Sequence, residues 1–102
     1  MATLQEITDR FRTAVGDDSG LGRKVKFDLK GDGIVLIDGG QVSNDDGPAD
    51  LTMTLSLADL EAMGQKRLDP MMAFMTGRLK VSDMNLAMQL QPKMQALFSR
   101  AS

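Results

Sequence analysis

The side chains of this chain that are able to do chemistry are carboxylates, lysines, arginines and hydroxyls. There is no histidine, cysteine, tyrosine or tryptophan. That removes Ser-His-Asp and Cys-His arrangements, thiol chemistry and the usual zinc sites. It also removes the one side chain whose unperturbed pKa lies near neutrality, so general acid–base work would need shifted carboxylates or lysines. The spacings offer no such constellation. Asp17-Asp18 lacks the ligand ladder of a calcium loop and reads as a solvated turn. Gly31-Asp32-Gly33 is followed by neither a P-loop nor a dinucleotide fingerprint and reads as a hairpin turn. Lys66-Arg67 offers contact to a lipid head group, but complementing a helix C-terminus accounts for the pair more simply. The chain is not expected to be an enzyme, and no metal or cofactor is expected.

What stands out instead is apolar and pliable. Met71, Met72, Met75, Met84 and Met88, five of nine methionines, fall between Leu68 and Met88. Methionine is long, unbranched and polarizable, so it fills irregular space and re-packs around variable guests. Apolar stripes at helical spacing are ordinarily core. The sharper alternative is a wall around an apolar ligand.

The totals bound the rest. Residues 1–102 suit one domain. A hydrophobic share of 42% and a charged share of 25% are those of a soluble globular protein. The net charge of -2 gives no general attraction to nucleic acid or anionic lipid. No run of 18 apolar residues exists, so no stable membrane insertion is expected. The N-terminus lacks a basic region followed by an apolar one, and the C-terminus is not a peroxisomal address. A cytoplasmic protein is expected.

These residues must be positioned by regular elements. Residues 3–15 read as an amphipathic helix on Leu4, Ile7, Phe11 and Ala14/Val15, with Thr3 and Glu6 in capping-box spacing. A loop follows over 16–20. From Arg23 to Leu29 the chain alternates, with Val25, Phe27 and Leu29 on one face, which predicts a strand covered on one side. Ile34–Ile37 predicts a strand with apolar contact on both faces or a central place in the sheet, and 41–43 a weak third strand. The polar 44–48 loop is expected to be mobile. Residues 49–57 alternate again, with Leu51, Met53, Leu55 and Leu57 inward. Ser56 starts a helix that Gly64 stops.

Asp69-Pro70 starts a short helix, Gly77 stops it, and 78–82 is a fifth strand. That helix is apolar nearly all round and is expected to be buried on every side, under the C-terminal helix, a ligand or both. The helical period resumes at Met84, breaks or kinks at Pro92, restarts at Lys93 and frays over 100–102. The order predicts an α+β layer fold. It has a mixed five-stranded sheet, an antiparallel meander of the first three strands, a parallel pairing of the fourth and fifth, and helices on one face.

Taken jointly, Ala49-Asp50-Leu51-Thr52-Met53-Thr54, Asp69-Pro70, Phe74-Met75-Thr76-Gly77-Arg78-Leu79-Lys80-Val81 and Met84-Asn85-Leu86-Ala87-Met88 resemble the sterol carrier protein type 2 (SCP2) family. The likeness covers about the last two thirds of the chain. Where that family commonly has glycine before the last segment, this chain has Asp83. The resemblance implies an SCP2-like fold: a sheet with helices around an apolar tunnel for fatty acyl chains, acyl-CoA, sterols or isoprenoids. It implies the stand-alone bacterial kind, binding and transferring lipid or serving as an accessory to a partner enzyme. Mapped onto this chain, the tunnel would involve Phe11, Leu60, Met63, Met71, Phe74, Met75, Met84, Met88 and Leu97.

A cavity costs about 24 cal/mol per Å³, so a rigid, dry tunnel of roughly 500 Å³ would cost about 12 kcal/mol. Domain stability is only about 5–15 kcal/mol. Lipid, water or collapsing methionines must therefore occupy the space.

Overall fold

The computed structural model describes residues 3–18 and 20–101. The expectations about the extreme N-terminus, about the 16–20 loop at Ser19 and about the tail at Ser102 lie outside those residues.

Helix α1 (Leu4–Val15) opens with a reciprocal cap. The Glu6 N–H donates to Thr3 Oγ1 at 3.2 Å and the Thr3 N–H to Glu6 Oε1 at 3.4 Å. Its apolar stripe of Ile7, Phe11, Ala14 and Val15 is buried. Thr8 is buried with it, and its hydroxyl donates to the Leu4 carbonyl and accepts from the Asn44 amide at 2.9 Å. The Asn44 amide also donates to the Ile34 carbonyl, and Lys26 Nζ lies 2.7 Å from Asp46. The 44–48 segment is therefore anchored at two points, where its polarity alone had predicted mobility.

Strands β1 (Val25–Asp28), β2 (Ile34–Asp38) and β3 (Gln41–Ser43) form the expected antiparallel meander. β4 (Leu51–Thr54) lies parallel beside β1, and β5 (Lys80–Val81) completes the order β3-β2-β1-β4-β5. Asp50 fixes the start of the parallel pair. Its carboxylate accepts from the Lys24 N–H, while the N–H groups of Asp50 and Leu51 donate to the Lys24 carbonyl. The alternating residues Val25, Phe27, Leu29, Val35, Ile37, Leu51, Met53 and Leu55 are buried on one face, as their period of two requires.

The pairing of β4 with β5 is antiparallel, not parallel. Helices α2 (Leu57–Gly64) and α3 (Pro70–Met75) intervene. One intervening helix reverses the chain twice, once at each of its ends, and returns a parallel strand. Two successive helices reverse it three times, so the next strand runs the other way. Ser82 locks this edge, its Oγ accepting from the Thr52 N–H and its own N–H donating to the Thr52 carbonyl.

Gly64 does not stop α2; it is the last helical residue. The left-handed seat belongs to Lys66, at φ 61. The Arg67 N–H donates to the Ala62 carbonyl and the Lys66 N–H to the Met63 carbonyl, the paired bonds of a Schellman cap. Glycine takes this conformation without the crowding a Cβ brings. Lys66→Gly is expected to raise stability by about 1 kcal/mol, read as a higher urea midpoint at unchanged slope.

Helix α4 (Met84–Ala101) runs through Pro92 without a break and keeps residues 100 and 101 helical. Proline removes one ladder bond, to the Met88 carbonyl. Leu90, Met94, Leu97 and Phe98 are buried on either side of it, and that packing holds both halves in one helix. Phe11, Phe27 and Phe98 join α1, β1 and α4, with ring centroids 5.4 to 6.0 Å apart.

Candidate functional site

α3 begins where the Asp69 carboxylate accepts from the Met71 N–H at 2.9 Å, with Pro70 at the first helical position. It ends at Gly77, φ 80, where the Arg78 N–H reaches back to the Ala73 carbonyl at 2.8 Å. Asp83 then caps α4, accepting from the Leu86 N–H at 3.1 Å. A cap side chain thus stands where the related pattern has glycine.

Between α3, the β4–β5 end of the sheet and α4 lies an apolar cleft with a cavity volume of ≈ 70 Å³. The sheet side supplies Met53, Leu79 and Val81; α3 supplies Met71 and Phe74. α4 supplies one continuous stripe at helical spacing: Met84, Ala87, Met88, Gln91, Met94 and Phe98. Six methionines line the cleft, and its only polar side chains are the amides of Gln91 and Gln95. Among the described residues, no ionisable group lines it. A carboxylate held deep inside would find no countercharge and would carry the full cost of an unpaired buried ion. The space suits a hydrocarbon body with a neutral polar group, or a charged head left at the mouth.

Of the nine residues expected around a tunnel, five line this cleft: Met63, Met71, Phe74, Met84 and Met88. Phe11 and Leu60 line a separate hollow of ≈ 30 Å³. Phe98 borders both spaces and stands between them. Leu97 is fully buried and lines neither. Met75 lies outside the cleft and is 73% exposed. Sequence reasoning missed Met53, Leu79, Val81, Ala87, Met94 and Phe98. Pairing of Met53 with Val81 across β4 and β5 brings the sheet side together, and that register was not expected. Beyond Pro92 the expectation named Leu97, whereas Met94 and Phe98 are the residues of that half of α4 that line the cleft.

The expectation that α3 is buried on all sides is overturned. Only Ala73 of that helix is buried. Met71 (43%), Met72 (53%), Phe74 (39%) and Met75 are exposed, and Met88 on α4 is 57% exposed beside them. Two layers are not enough to enclose a helix that faces away from the sheet, and apolar surface on a folded domain is common; a contiguous patch of large side chains is not. Met71, Phe74 and Met88 belong to both the cleft wall and the exposed patch, so they form its mouth.

A mixed sheet with helices that part around a cleft of apolar lining defines an α+β domain with an apolar cleft between α3, β5 and α4. The chain belongs to the SCP-2 sterol transfer family, whose sequence pattern matches residues 1–95. It is similar in structure to sterol carrier protein 2 like 2 from Aedes aegypti, with TM-score 0.74 and 24% identity over 87% of this chain and 94% of that one. Sterol carrier protein 2 from Yarrowia lipolytica, in its apo form, aligns with TM-score 0.71 and 21% identity over 93% and 88%. UbiJ-SCP2, a ubiquinone synthesis protein, aligns with TM-score 0.59 and 19% identity over 90% and 77%. At these identities the likeness establishes the fold. No curated protein matches the chain in sequence at a significant level.

Proposed function

We propose that this protein is a non-catalytic lipid carrier that holds a fatty acyl chain, sterol or isoprenoid in the cleft between α3, β5 and α4. The observation that carries the proposal is the lining, twelve apolar side chains and two amides with no ionisable group among them. Among the described residues, no helix is long and apolar enough to cross a membrane. Residues 1–102 act as one cytoplasmic unit in this proposal.

The cleft of ≈ 70 Å³ is well below the roughly 300–1,000 Å³ of ligand pockets. At about 24 cal/mol per Å³ it costs at most about 2 kcal/mol, which a domain stable by about 5–15 kcal/mol tolerates. Loading therefore requires opening. Six methionines can shift rotamers at low cost, and Phe98 is the partition whose movement joins the cleft to the hollow lined by Phe11 and Leu60. A bound chain of about 15 methylenes gains roughly 12 kcal/mol gross. Association costs about 4–15 kcal/mol of that. Micromolar or weaker affinity with poor discrimination follows, since one methylene is worth only about 1–3 kcal/mol.

The test is titration of a fluorescent fatty acid followed by competition. Saturable one-to-one binding, reversed by unlabelled fatty acid, sterol or isoprenoid, is expected. No displacement by any of the three would remove the carrier function. A second reading is an accessory module that presents lipid or surface to a partner enzyme, favoured by the structural relative named for ubiquinone synthesis. Capture of a stoichiometric partner by protein whose extracts contain no lipid would select it.

A further inference from the structure

Sulfur enters this chain only as thioether. There are nine methionines and no cysteine, and tryptophan, tyrosine and histidine are absent as well. Methionine is thus the side chain that a peroxide oxidises here, to a sulfoxide that reductases can return to thioether. The structure sorts the described methionines by place and exposure. Met53, Met63 and Met94 line the cleft and are buried, and Met84 lines it half-buried. Met72 and Met75 are exposed and lie outside the cleft. Met71 on α3 and Met88 on α4 combine the two properties: both line the cleft and both are exposed. An oxidant in solvent therefore meets the lining first at its mouth.

The consequence follows from polarity. Oxidation turns a flexible apolar side chain into a polar one. In the absence of a guest, a sulfoxide at Met71 or Met88 keeps its oxygen in water and costs the fold little. A hydrocarbon guest covering the mouth takes that oxygen out of water. The lining offers only the side-chain amides of Gln91 and Gln95 as donors. A polar group desolvated without a partner is costly. Sulfoxide thus weighs against the loaded state and not against the folded one.

We propose that Met71 and Met88 form a reversible peroxide-oxidation site whose modification lowers the protein's affinity for its apolar guest. The reaction is a two-electron oxygen transfer. A sulfur lone pair attacks one oxygen of hydrogen peroxide, an S–O bond forms as the O–O bond breaks, and the other oxygen leaves as water with both protons. Sulfur is oxidised and peroxide is reduced. Reversal draws on an outside dithiol, because this chain has no thiol. A methionine sulfoxide reductase restores the thioether and releases water as the dithiol becomes a disulfide. The effect on binding rests on the lipid-carrier reading; the oxidation itself does not.

The test treats the ligand-free protein with hydrogen peroxide and places the added oxygen by tandem mass spectrometry of its peptides. Met71, Met72, Met75 and Met88 are expected to oxidise before Met53, Met63 and Met94, with circular dichroism unchanged. Affinity for a fluorescent fatty acid should fall by about tenfold or more. It should recover after treatment with methionine sulfoxide reductases for both sulfoxide epimers and dithiothreitol. A variant carrying Met72→Leu and Met75→Leu should lose affinity on oxidation as the parent does. A variant carrying Met71→Leu and Met88→Leu, compared with its own untreated form, should not. Saturating fatty acid should slow oxidation of Met71 and Met88 and leave the rates at Met72 and Met75 unchanged. Affinity that survives full oxidation of Met71 and Met88, or that falls equally in the Met71→Leu, Met88→Leu variant, overturns this inference and leaves the carrier reading standing. No binding of fatty acid by the untreated parent overturns both.

Discussion

Ala87→Trp is expected to lower affinity for a fluorescent fatty acid by at least about tenfold while the protein stays folded. Ala87 is half-buried on α4 and lines the cleft between Met84 and Met88. An indole there fills the space that a ligand would enter and removes the room into which the methionines re-pack. Overpacking a well-filled interior costs about 1–3 kcal/mol. This site borders an opening, so burial of the ring offsets much of that cost at about 25 cal/mol per Å². Titration of the variant beside a urea melt checks both halves. Unchanged affinity with an unchanged melt would mean that the ligand binds elsewhere.

The second large effect has opposite signs for stability and capacity. Phe98 is 7% exposed, packs on Phe11 and Phe27, and separates the cleft from the smaller hollow. Phe98→Ala removes the partition and is expected to lose about 3–5 kcal/mol of stability. The enlarged space should accept bulkier guests. Ligand present at about 100 times its Kd returns about 2.7 kcal/mol by linkage. The rise in melting temperature on adding sterol should therefore be larger in the variant than in the parent. Equal rises in both would show that Phe98 does not bound the ligand space.

Much of the fold was legible because it rests on local rules. The alternation of Val25, Phe27 and Leu29 and of Leu51, Met53 and Leu55 specifies which face is buried. Thr3 with Glu6, Asp69 with Pro70, and Gly77 mark helix ends by the chemistry of caps. What failed was set by tertiary context. Pro92 looked like a break or kink, yet α4 continues through it, with buried residues on both sides. Gly64 looked like a stop, yet Lys66 took the left-handed seat two residues later. The direction of β5 depended on how many reversals precede it, not on any residue within it.

The site was half legible for the same reason. The methionines of α3 and α4 marked the region, and five expected residues line the cleft. Phe11, Leu60 and Leu97 are equally apolar but belong to the hollow behind Phe98 or to the core. An apolar pattern identifies what avoids water; it does not distinguish a side chain facing a void from one facing another side chain. Nor did it separate burial from exposure in α3, where apolar character on every side read as core and the structure presents it to solvent.

The most direct test is a crystal structure of the protein grown with a saturated fatty acid. The acyl chain is expected between α3, β5 and α4, in contact with Met53, Ala87 and Met94, with Met84 and Met88 moved from their ligand-free rotamers and the carboxylate at the mouth. An acyl chain bound away from that cleft, or an interior that stays closed under saturating ligand, would contradict the account.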